Sequence, residues 1–267
     1  MAVSLECRDL CFSFEDHLVL NHISFYVRAG RFCAVLGRNG SGKTTLVHCL
    51  NRILTPDSGK IMVHNQDISF LSQNEIARQI SLVPQEHLDI FPYRVIDVVV
   101  MGRAPFLKMS ARPEKSDYDM AEKALNSLNA GALAPKNFNR ISGGERQITL
   151  LARALTQATL IMLLDEPTNH LDFNNQYLLL SSVKSLCRSK GISIVASMHD
   201  PNMAALFADD VIMIKNSSIM AQGSAGQVMT KENISNLYDT AIGHIKLNDH
   251  KKMFFPENIL NRTDEKD

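Results

Sequence analysis

The feature that most constrains the fold is a glycine-rich loop between an apolar segment and a helical pattern. Phe32–Leu36 is continuously apolar, as expected for a strand buried on both faces. The next segment, Gly37-Arg-Asn-Gly-Ser-Gly-Lys-Thr44, has the spacing of a phosphate-binding loop. Its glycines allow backbone N–H groups to face phosphate oxygens, and the following helix N-terminus adds positive potential. The sequence therefore predicts a nucleotide site on a mostly parallel α/β sheet.

A second strand-like segment ends in two carboxylates. Thr159–Leu164 is apolar after its first residue and leads directly into Asp165 and Glu166. With a phosphate loop upstream, Asp165 is predicted to hold Mg²⁺ and Glu166 to polarise the attacking water. Lys43 is predicted to reach the β- and γ-phosphates, and the Thr44 hydroxyl to bind Mg²⁺.

A third motif makes the pattern specific to one family. Ile141-Ser-Gly-Gly-Glu-Arg-Gln147 lies at the start of a predicted helix, before the strand that carries the two carboxylates. Together with the other two motifs it resembles the signature of ABC ATPases, and the resemblance covers about residues 3 to 240. It implies an enzyme that binds and hydrolyses ATP with Mg²⁺. The expected ATP contacts within the chain are Phe14, Gly37, Asn39, Gly40, Ser41, Gly42, Lys43, Thr44 and Thr45.

The resemblance also implies a homodimer. In that family two subunits pair head to tail, and each signature covers the ATP held by the other subunit. The residue types of this motif are consistent with that pairing, because a serine and two glycines at a helix N-terminus form a second anion site. The residues expected to act on the partner's ATP are Ser142, Gly143, Gly144 and Glu145.

Four further residues receive roles only by their positions relative to these motifs. Gln85 resembles the Q-loop glutamine near Mg²⁺ and the γ-phosphate, and His199 resembles the switch histidine that contacts the γ-phosphate. Asp172 lies in a segment that resembles the D-loop of the dimer interface. Phe14 aligns with an aromatic residue that stacks on adenine, where tyrosine is more common; phenylalanine keeps the π-face. A core position is the alternative for Phe14, since Phe12 is close in sequence.

The expected organisation is a P-loop NTPase (RecA-like) core with two additions. Ile23, Phe25 and Val27 alternate with polar residues, which predicts an antiparallel β subdomain at the N-terminus. Residues 1–87 and 158–240 are assigned to the nucleotide-binding core, and 88–157 to an inserted α-helical subdomain that carries the signature. Residues 241–267 are assigned to a C-terminal extension, either a small folded appendage or a tail.

Composition excludes some classes of function. Lys plus Arg and Asp plus Glu each number 28, so no net field favours nucleic acid or an anionic membrane, and no nucleic-acid partner is expected. The apolar runs are too short to cross a membrane, and the N-terminus lacks the apolar stretch of a signal peptide. The five cysteines are scattered and predict free thiols rather than a metal site.

The segment after Gln85 narrows the resemblance within the family. Phe91 to Pro105, followed by Ala111-Arg-Pro113, is similar to importer ATPases for iron–siderophore, haem and cobalamin complexes. The resemblance implies a permease dimer as a direct partner, a solute-binding protein as an indirect one, and a peripheral position at the cytoplasmic face of the membrane. Residues 91–103 are candidates for the permease groove. The basic run Arg103, Lys108, Arg112 and Lys115 is interpreted as a solvated face.

Three other functions are alternatives to this hypothesis. Molybdate and tungstate importers look similar around residues 115–119 and 128–129. A soluble ABC protein acting on nucleic acid or protein partners is a rival, which neutral charge disfavours for nucleic acid. A metabolic kinase with a phosphate loop conflicts with the signature motif.

Overall fold

A six-stranded sheet forms the centre of the molecule. The computed structural model describes residues 3–85, 92–108, 111–169, 171–248 and 251–257. All strands of the central sheet run parallel except β10, which closes one edge as an antiparallel hairpin with β9. In spatial order the strands are β10 (Ser218–Ser224), β9 (Asp210–Lys215), β3 (Phe32–Leu36), β8 (Ser193–Met198), β7 (Ile161–Leu164) and β6 (Ile80–Val83).

Both faces of this sheet are covered, as the apolar strands predict. Side chains alternate along β3, so Phe32 and Leu36 enter one hydrophobic cluster while Cys33 and Val35 enter another on the opposite face. All five β3 residues are buried. Polar side chains are rare in a strand with two buried faces because each needs a hydrogen-bond partner there, which explains the continuous apolar sequence of β3.

The predicted N-terminal antiparallel sheet covers one face of the core. Ile23, Phe25 and Val27 point inward, and Tyr26 between them is exposed. The sheet and α1 (Lys43–Leu50) share the hydrophobic cluster that contains Cys33. In spatial order its strands are β2 (His17–Arg28), β1 (Val3–Phe14), β4 (Ser58–Val63) and β5 (Gln66–Asp67). The short helix α2 (Gln73–Ala77) follows, and it begins at a capping box formed by Ser72 and Glu75.

Helices replace strands between β6 and β7. They are α3 (Val95–Val100), α4 (Lys115–Ser127) and α5 (Gly143–Thr156), joined by 3₁₀ turns at Met101–Phe106, Gly131–Leu133 and Phe138–Arg140. Their apolar faces join the same hydrophobic cluster as Phe32 and Leu36 of the central sheet. The described part of the predicted insert, 88–157, is therefore packed on the core rather than built around a separate one.

The prediction that the basic run is exposed to solvent is wrong for Arg103. The turn Met101–Phe106 folds back toward α4, so Arg103 Nε donates to Asp117 Oδ1 over 3.0 Å. Both side chains are largely buried, and the guanidinium also lies 4.2 Å from the centre of the Phe106 ring. Sequence position alone placed Arg103 among exposed cations, whereas the turn gives it a carboxylate partner and an aromatic surface.

The C-terminal part returns to the sheet. Helix α6 (Phe173–Lys190) ends at Gly191, which has a φ of 66°, a left-handed value that glycine adopts without strain. Then follow α7 (Pro201–Phe207), α8 (Ala225–Val228), α9 (Lys231–Tyr238) and the hairpin of β11 (Ile242–Asn248) and β12 (Lys251–Pro256). Ile242 and Phe254 are buried in the main cluster, so the two strands of the hairpin form a folded appendage. Within the described residues no helix is both long and apolar enough to span a bilayer.

Candidate functional site

The sheet order brings the predicted site residues together. Strands β3, β8, β7 and β6 are parallel neighbours, so the loops that leave their carboxyl ends meet at one edge of the sheet. These loops carry the phosphate loop, His199, Asp165 with Glu166, and Gln85. They border a cavity of ≈ 850 Å³ lined by Val19, Gly37, Arg38, Asn39, Gly40, Gly42, Lys43, Thr44, Thr45, Gln85, Glu166, Asn169, His199 and Tyr238.

The phosphate loop has the conformation that its glycines predict. Gly42 has a φ of 96°, and a Cβ there would lie 2.8 Å from the carbonyl oxygen of Val19. Helix α1 starts immediately afterwards with no side-chain cap, so its N-terminal N–H groups face the cavity without a competing acceptor from its own cap residue. This is the backbone arrangement that binds phosphate.

Lys43 and Ser41 fit an anionic ligand. Lys43 Nζ donates to the carbonyl oxygens of Gly37 and Arg38, at 3.0 and 3.1 Å, which folds the amine back across the loop. Burial lowers the pKa of Lys43, and the carboxylates of Glu166 and Asp165 oppose that shift. Ser41 Oγ is buried and has no hydrogen-bond partner among the described residues. A bound phosphate would supply both groups with acceptors.

Asp165 faces the start of α1 from the end of β7. Thr44 Oγ1 donates to Asp165 Oδ1 over 3.1 Å, and Ser197 Oγ donates to the same oxygen over 2.7 Å. The donor set, a carboxylate and a threonine hydroxyl beside a phosphate site, is of the oxygen type that Mg²⁺ prefers. These residues therefore fit a Mg²⁺ ion that accompanies the nucleotide.

Glu166 is the centre of the polar contacts in the cavity. Its backbone has a φ of 47°, an unusual value for a residue with a Cβ, and its N–H donates to Ser197 Oγ over 2.8 Å. One carboxylate oxygen pairs with Nε2 of His199, and the other accepts from Nε2 of Gln85 over 2.8 Å. The Glu166 side chain is 9% exposed, so it can reach the cavity but little bulk water. Residues that follow β6 and β8 thus hold the carboxylate that follows β7.

Comparisons with known proteins agree with this geometry. Residues 20–169, more than half of the chain, match the family model described as ABC transporter. The chain belongs to the ABC transporter family. This ABC protein is 38% identical over 239 residues to an iron chelatin transport ATP-binding protein of Helicobacter pylori, covering 89% of the chain and 94% of that protein. A molybdate import ATP-binding protein of Haemophilus influenzae is 34% identical over 239 residues and covers 89% of each chain.

A solved structure gives the same assignment at the level of the fold. An ABC transporter of the metal-chelate type, in an inward-facing conformation, superposes with a TM-score of 0.84 and 32% identity. The match covers 96% of this chain and 98% of that one. The P-loop core, the antiparallel β subdomain and the ATPase class predicted from the motifs are therefore confirmed.

The signature of this ABC protein lies apart from its own phosphate loop. Ser142 caps α5, with its Oγ accepting from the Glu145 N–H over 3.2 Å, and Glu145 Oε2 accepts from the Ser142 N–H over 2.9 Å. Ser142, Gly144 and Glu145 line a second cavity of ≈ 440 Å³ beside α6, and none of the described residues lines both cavities. The fold of one chain therefore brings together the phosphate loop, Gln85, Glu166 and His199, but not the signature.

Phe14 and Asp172 lie outside the nucleotide cavity. Phe14 is half exposed at the end of β1, with its ring 4.8 Å from that of Phe12 in an edge-to-face contact. Val19, on the next strand, lines the cavity instead. Asp172 is exposed and caps α6, accepting from the Asn175 N–H over 2.8 Å. The neighbouring position 170 of the predicted D-loop is outside the described residues.

Sequence reasoning missed several residues of the site, among them Ser197 and Tyr238. Ser197 links Asp165 to the Glu166 backbone, and Tyr238 of α9 lines the cavity and donates to the carbonyl oxygen of His199 over 2.8 Å. Ser197 left a signal, because a serine in an otherwise apolar buried strand needs a hydrogen-bond partner. Tyr238 left none, since it follows an ordinary amphipathic helix pattern forty residues after β8.

Proposed function

We propose that this ABC protein is the ATP-hydrolysing subunit of an importer that takes up a metal chelate of the iron–siderophore, haem or cobalamin type. Two copies would bind two ATP molecules and act on a permease dimer at the cytoplasmic face of the membrane. One observation carries the ATPase chemistry: Lys43, Gln85, Glu166 and His199 line one cavity at the end of the parallel sheet. The relatives that transport iron chelatin, and the metal-chelate type of the similar structure, support the class of cargo.

The cavity residues divide the work of in-line hydrolysis. Lys43 and the N–H groups at the start of α1 bind and neutralise the terminal phosphates. Glu166 accepts a proton from the attacking water as that water approaches phosphorus, and Gln85 and His199 keep the carboxylate in place. Thr44, Asp165 and Gln85 would hold the Mg²⁺ ion, which supplies charge neutralisation on the phosphate oxygens when bound.

The exposed signature supports the homodimer. Ser142, Gly143 and Gly144 lie at the N-terminus of the 14-residue helix α5, where an anion is favoured by the helix dipole. Apart from its own helix backbone and chain neighbours, none of the described residues has an atom within 4 Å of where a Gly143 Cβ would stand, so this surface is open to a second molecule. In a head-to-tail pair it would cover the γ-phosphate bound by Lys43 of the other subunit, and Asp172 would lie at the interface.

A molybdate or tungstate importer is the second candidate, and one observation favours it. The molybdate import relative is nearly as similar as the iron chelatin relative, and it covers the same share of this chain. The ATPase subunit has no cavity for the cargo in this hypothesis, because the permease and the solute-binding protein select it. A soluble ABC protein that acts on nucleic acid or a protein partner has no comparable observation in its favour.

The test is co-purification from membranes of the native host. A tagged Glu166→Gln variant, which should keep ATP bound, is captured with ATP from detergent-solubilised membranes, and Lys43→Ala is captured in parallel as the control that cannot hold ATP. Recovery of a polytopic permease with a solute-binding protein supports the proposal, and the permease identifies the cargo class. Recovery of nucleic acid, or of soluble proteins alone, contradicts the transport role and leaves the ATPase assignment in place.

A further inference from the structure

The C-terminal segment reaches the catalytic site through Tyr238. This residue ends α9, and its hydroxyl donates to the His199 carbonyl oxygen over 2.8 Å while its ring lines the nucleotide cavity. Burial raises the pKa of Tyr238 to about 12, so the hydroxyl keeps its proton and remains a donor at neutral pH. The contact joins residues 39 positions apart in sequence, and it holds the backbone of the residue whose ring pairs with Glu166.

The C-terminal hairpin makes a second contact just after His199. Asn202 lies on the first turn of α7, and its side chain donates to the Phe254 carbonyl oxygen over 3.1 Å and accepts from the Phe254 N–H over 2.7 Å. Phe254 is 5% exposed, so the hairpin is fixed in the core at this point. The amide of Asn202 therefore binds β12 as another strand would, and it fixes the start of the helix that follows His199.

The same turn also contacts the phosphate loop. Asp239, directly after Tyr238, pairs with Arg38 over 2.9 Å and with Lys215 over 2.5 Å. Arg38 is itself a cavity residue, next to Gly37. The Arg38 pair is exposed and contributes little to stability. The position of Asp239 next to Tyr238 means that one turn of chain contacts both the phosphate loop and the loop that carries His199.

We propose that Tyr238 is a positioning residue for ATP hydrolysis: through the His199 carbonyl it fixes the imidazole against Glu166, with the Asn202–Phe254 contact holding the following helix. This inference rests on the proposed catalytic role of His199. If the hydroxyl only stabilised the fold, removing it would lower kcat by the same factor whether or not His199 were present. If it acts through His199, its loss has no further effect once the imidazole has been removed.

The experiment is a double-mutant cycle in the full-length chain. Tyr238→Phe removes the hydroxyl and keeps the ring, and it is made in the wild-type chain and in His199→Ala. ATP hydrolysis is measured across protein concentrations, and ATP affinity is measured separately by calorimetry. We expect Tyr238→Phe to lower kcat about 3- to 10-fold, the range of one lost hydrogen bond, with ATP affinity unchanged. In His199→Ala it should change kcat less than about 1.5-fold.

Tyr26→Phe is the matched control. Tyr26 is exposed on β2, and its hydroxyl also has one hydrogen bond, accepting from Arg28 over 2.9 Å, but it is not a cavity residue. It should leave kcat unchanged in both chains. A second probe, Asn202→Ala, removes both bonds to Phe254 and should also lower kcat only while His199 is present.

The outcomes separate the two hypotheses. Equal losses of kcat from Tyr238→Phe in both chains, or no loss in either, overturn the positioning role while His199→Ala still tests the proposed site. Wild-type hydrolysis by His199→Ala overturns the role of His199 and the positioning role together. A loss confined to the chain that retains His199 supports both.

Discussion

Two helix N-termini in this protein offer anion sites, and they differ in what surrounds them. Helix α1 begins without a side-chain cap inside a cavity that already contains Lys43 and Glu166. Helix α5 begins with Ser142 and Glu145 capping each other at the surface, and it faces a separate cavity. The first N-terminus leaves its N–H groups to a ligand, whereas at the second the Ser142 and Glu145 N–H groups are already bonded within the chain.

The difference indicates how the work is divided between subunits. A capped, exposed helix start is stable in an isolated chain, because water can satisfy its remaining N–H groups. An uncapped start with a buried lysine and a buried, unpartnered Ser41 hydroxyl is satisfied by a phosphate. ATP binding is therefore expected to be a property of one chain, and signature contacts to be a property of the pair.

The largest effect in this comparison is expected from removing the charge of Glu166. Glu166→Gln keeps the shape of the side chain but cannot accept the proton of the attacking water. We expect hydrolysis to fall about 100- to 10,000-fold while ATP still binds. Steady-state hydrolysis and ATP-dependent dimerisation by light scattering check this. Hydrolysis at the wild-type rate would show that Glu166 is not the base.

A methyl group on a glycine should affect the two sites differently. Gly42→Ala introduces a Cβ at a φ of 96° and 2.8 Å from the Val19 carbonyl oxygen, so we expect a loss of about 1–3 kcal/mol in unfolding free energy and loss of ATP binding. Gly143→Ala has open space, and its unfolding free energy should change by less than about 0.5 kcal/mol.

Calorimetry with ATP at low protein concentration separates the two variants. At low protein concentration, Gly143→Ala should bind ATP with the wild-type affinity. At concentrations where the wild-type chain dimerises, this variant should hydrolyse ATP more slowly than the wild type does. If it fails to bind ATP as a monomer, the assignment of the signature to the partner's nucleotide is wrong.

Removing the cap of α5 is expected to have a smaller effect on stability. Ser142→Ala deletes the hydroxyl that accepts from the Glu145 N–H, which contributes about 1 kcal/mol at a helix N-terminus. Urea unfolding measures this loss. Monomeric ATP affinity should be unchanged and hydrolysis reduced. Unchanged hydrolysis at high protein concentration would remove Ser142 from the proposed site.

The smallest effect is expected from Glu145→Gln, the same change as at Glu166 but at the other site. Gln can still accept from the Ser142 N–H, and only the exposed pair with Lys136 is lost. At neutral pH we expect hydrolysis within about twofold of the wild-type rate. A large loss would show that the Glu145 charge acts on the partner's nucleotide.

The pH dependence of this variant gives a second measurement. The Ser142 N–H, and then Lys136, lower the pKa of Glu145 below its ordinary value of 4.5. The ionised form is therefore favoured by folding, and its stabilisation is present above pH 4.5 and lost as the pH falls through the lowered pKa. Unfolding curves of the wild-type and Glu145→Gln chains should converge as the pH is lowered into this range. If the difference in unfolding free energy between the two chains stayed constant across this pH range, ionisation of Glu145 would not be linked to folding.

Much of the fold could be predicted because local patterns and tertiary structure agree. Continuous apolar runs form the buried strands β3 and β7, and the alternation of Ile23, Phe25 and Val27 forms the one-sided N-terminal sheet. Gly191 ended α6, and Ser72 began α2. Each of these signals acts over a few residues, since burial period, caps and left-handed glycines are local requirements.

Contacts between distant segments could not be predicted in the same way. Arg103 was interpreted as a solvated cation, but a 3₁₀ turn places it against Asp117 and Phe106. Tyr238 was not among the predicted site residues, but α9 carries it into the nucleotide cavity. The sequence around each residue does not indicate which residue it contacts, because that contact depends on how whole helices and strands pack together.

The sequence by itself determined the chemistry of this protein: which residues form the phosphate loop, which carboxylates end β7, and which glycines permit the turns. Those properties depend on residue type and short spacing. The tertiary structure alone decided that β3, β8, β7 and β6 are neighbours, so that Lys43, His199, Glu166 and Gln85 meet. It also decided that the signature lies elsewhere and that the C-terminal turn holds His199. Strand order and helix packing minimise exposed apolar area over the whole chain, and no short segment contains that information.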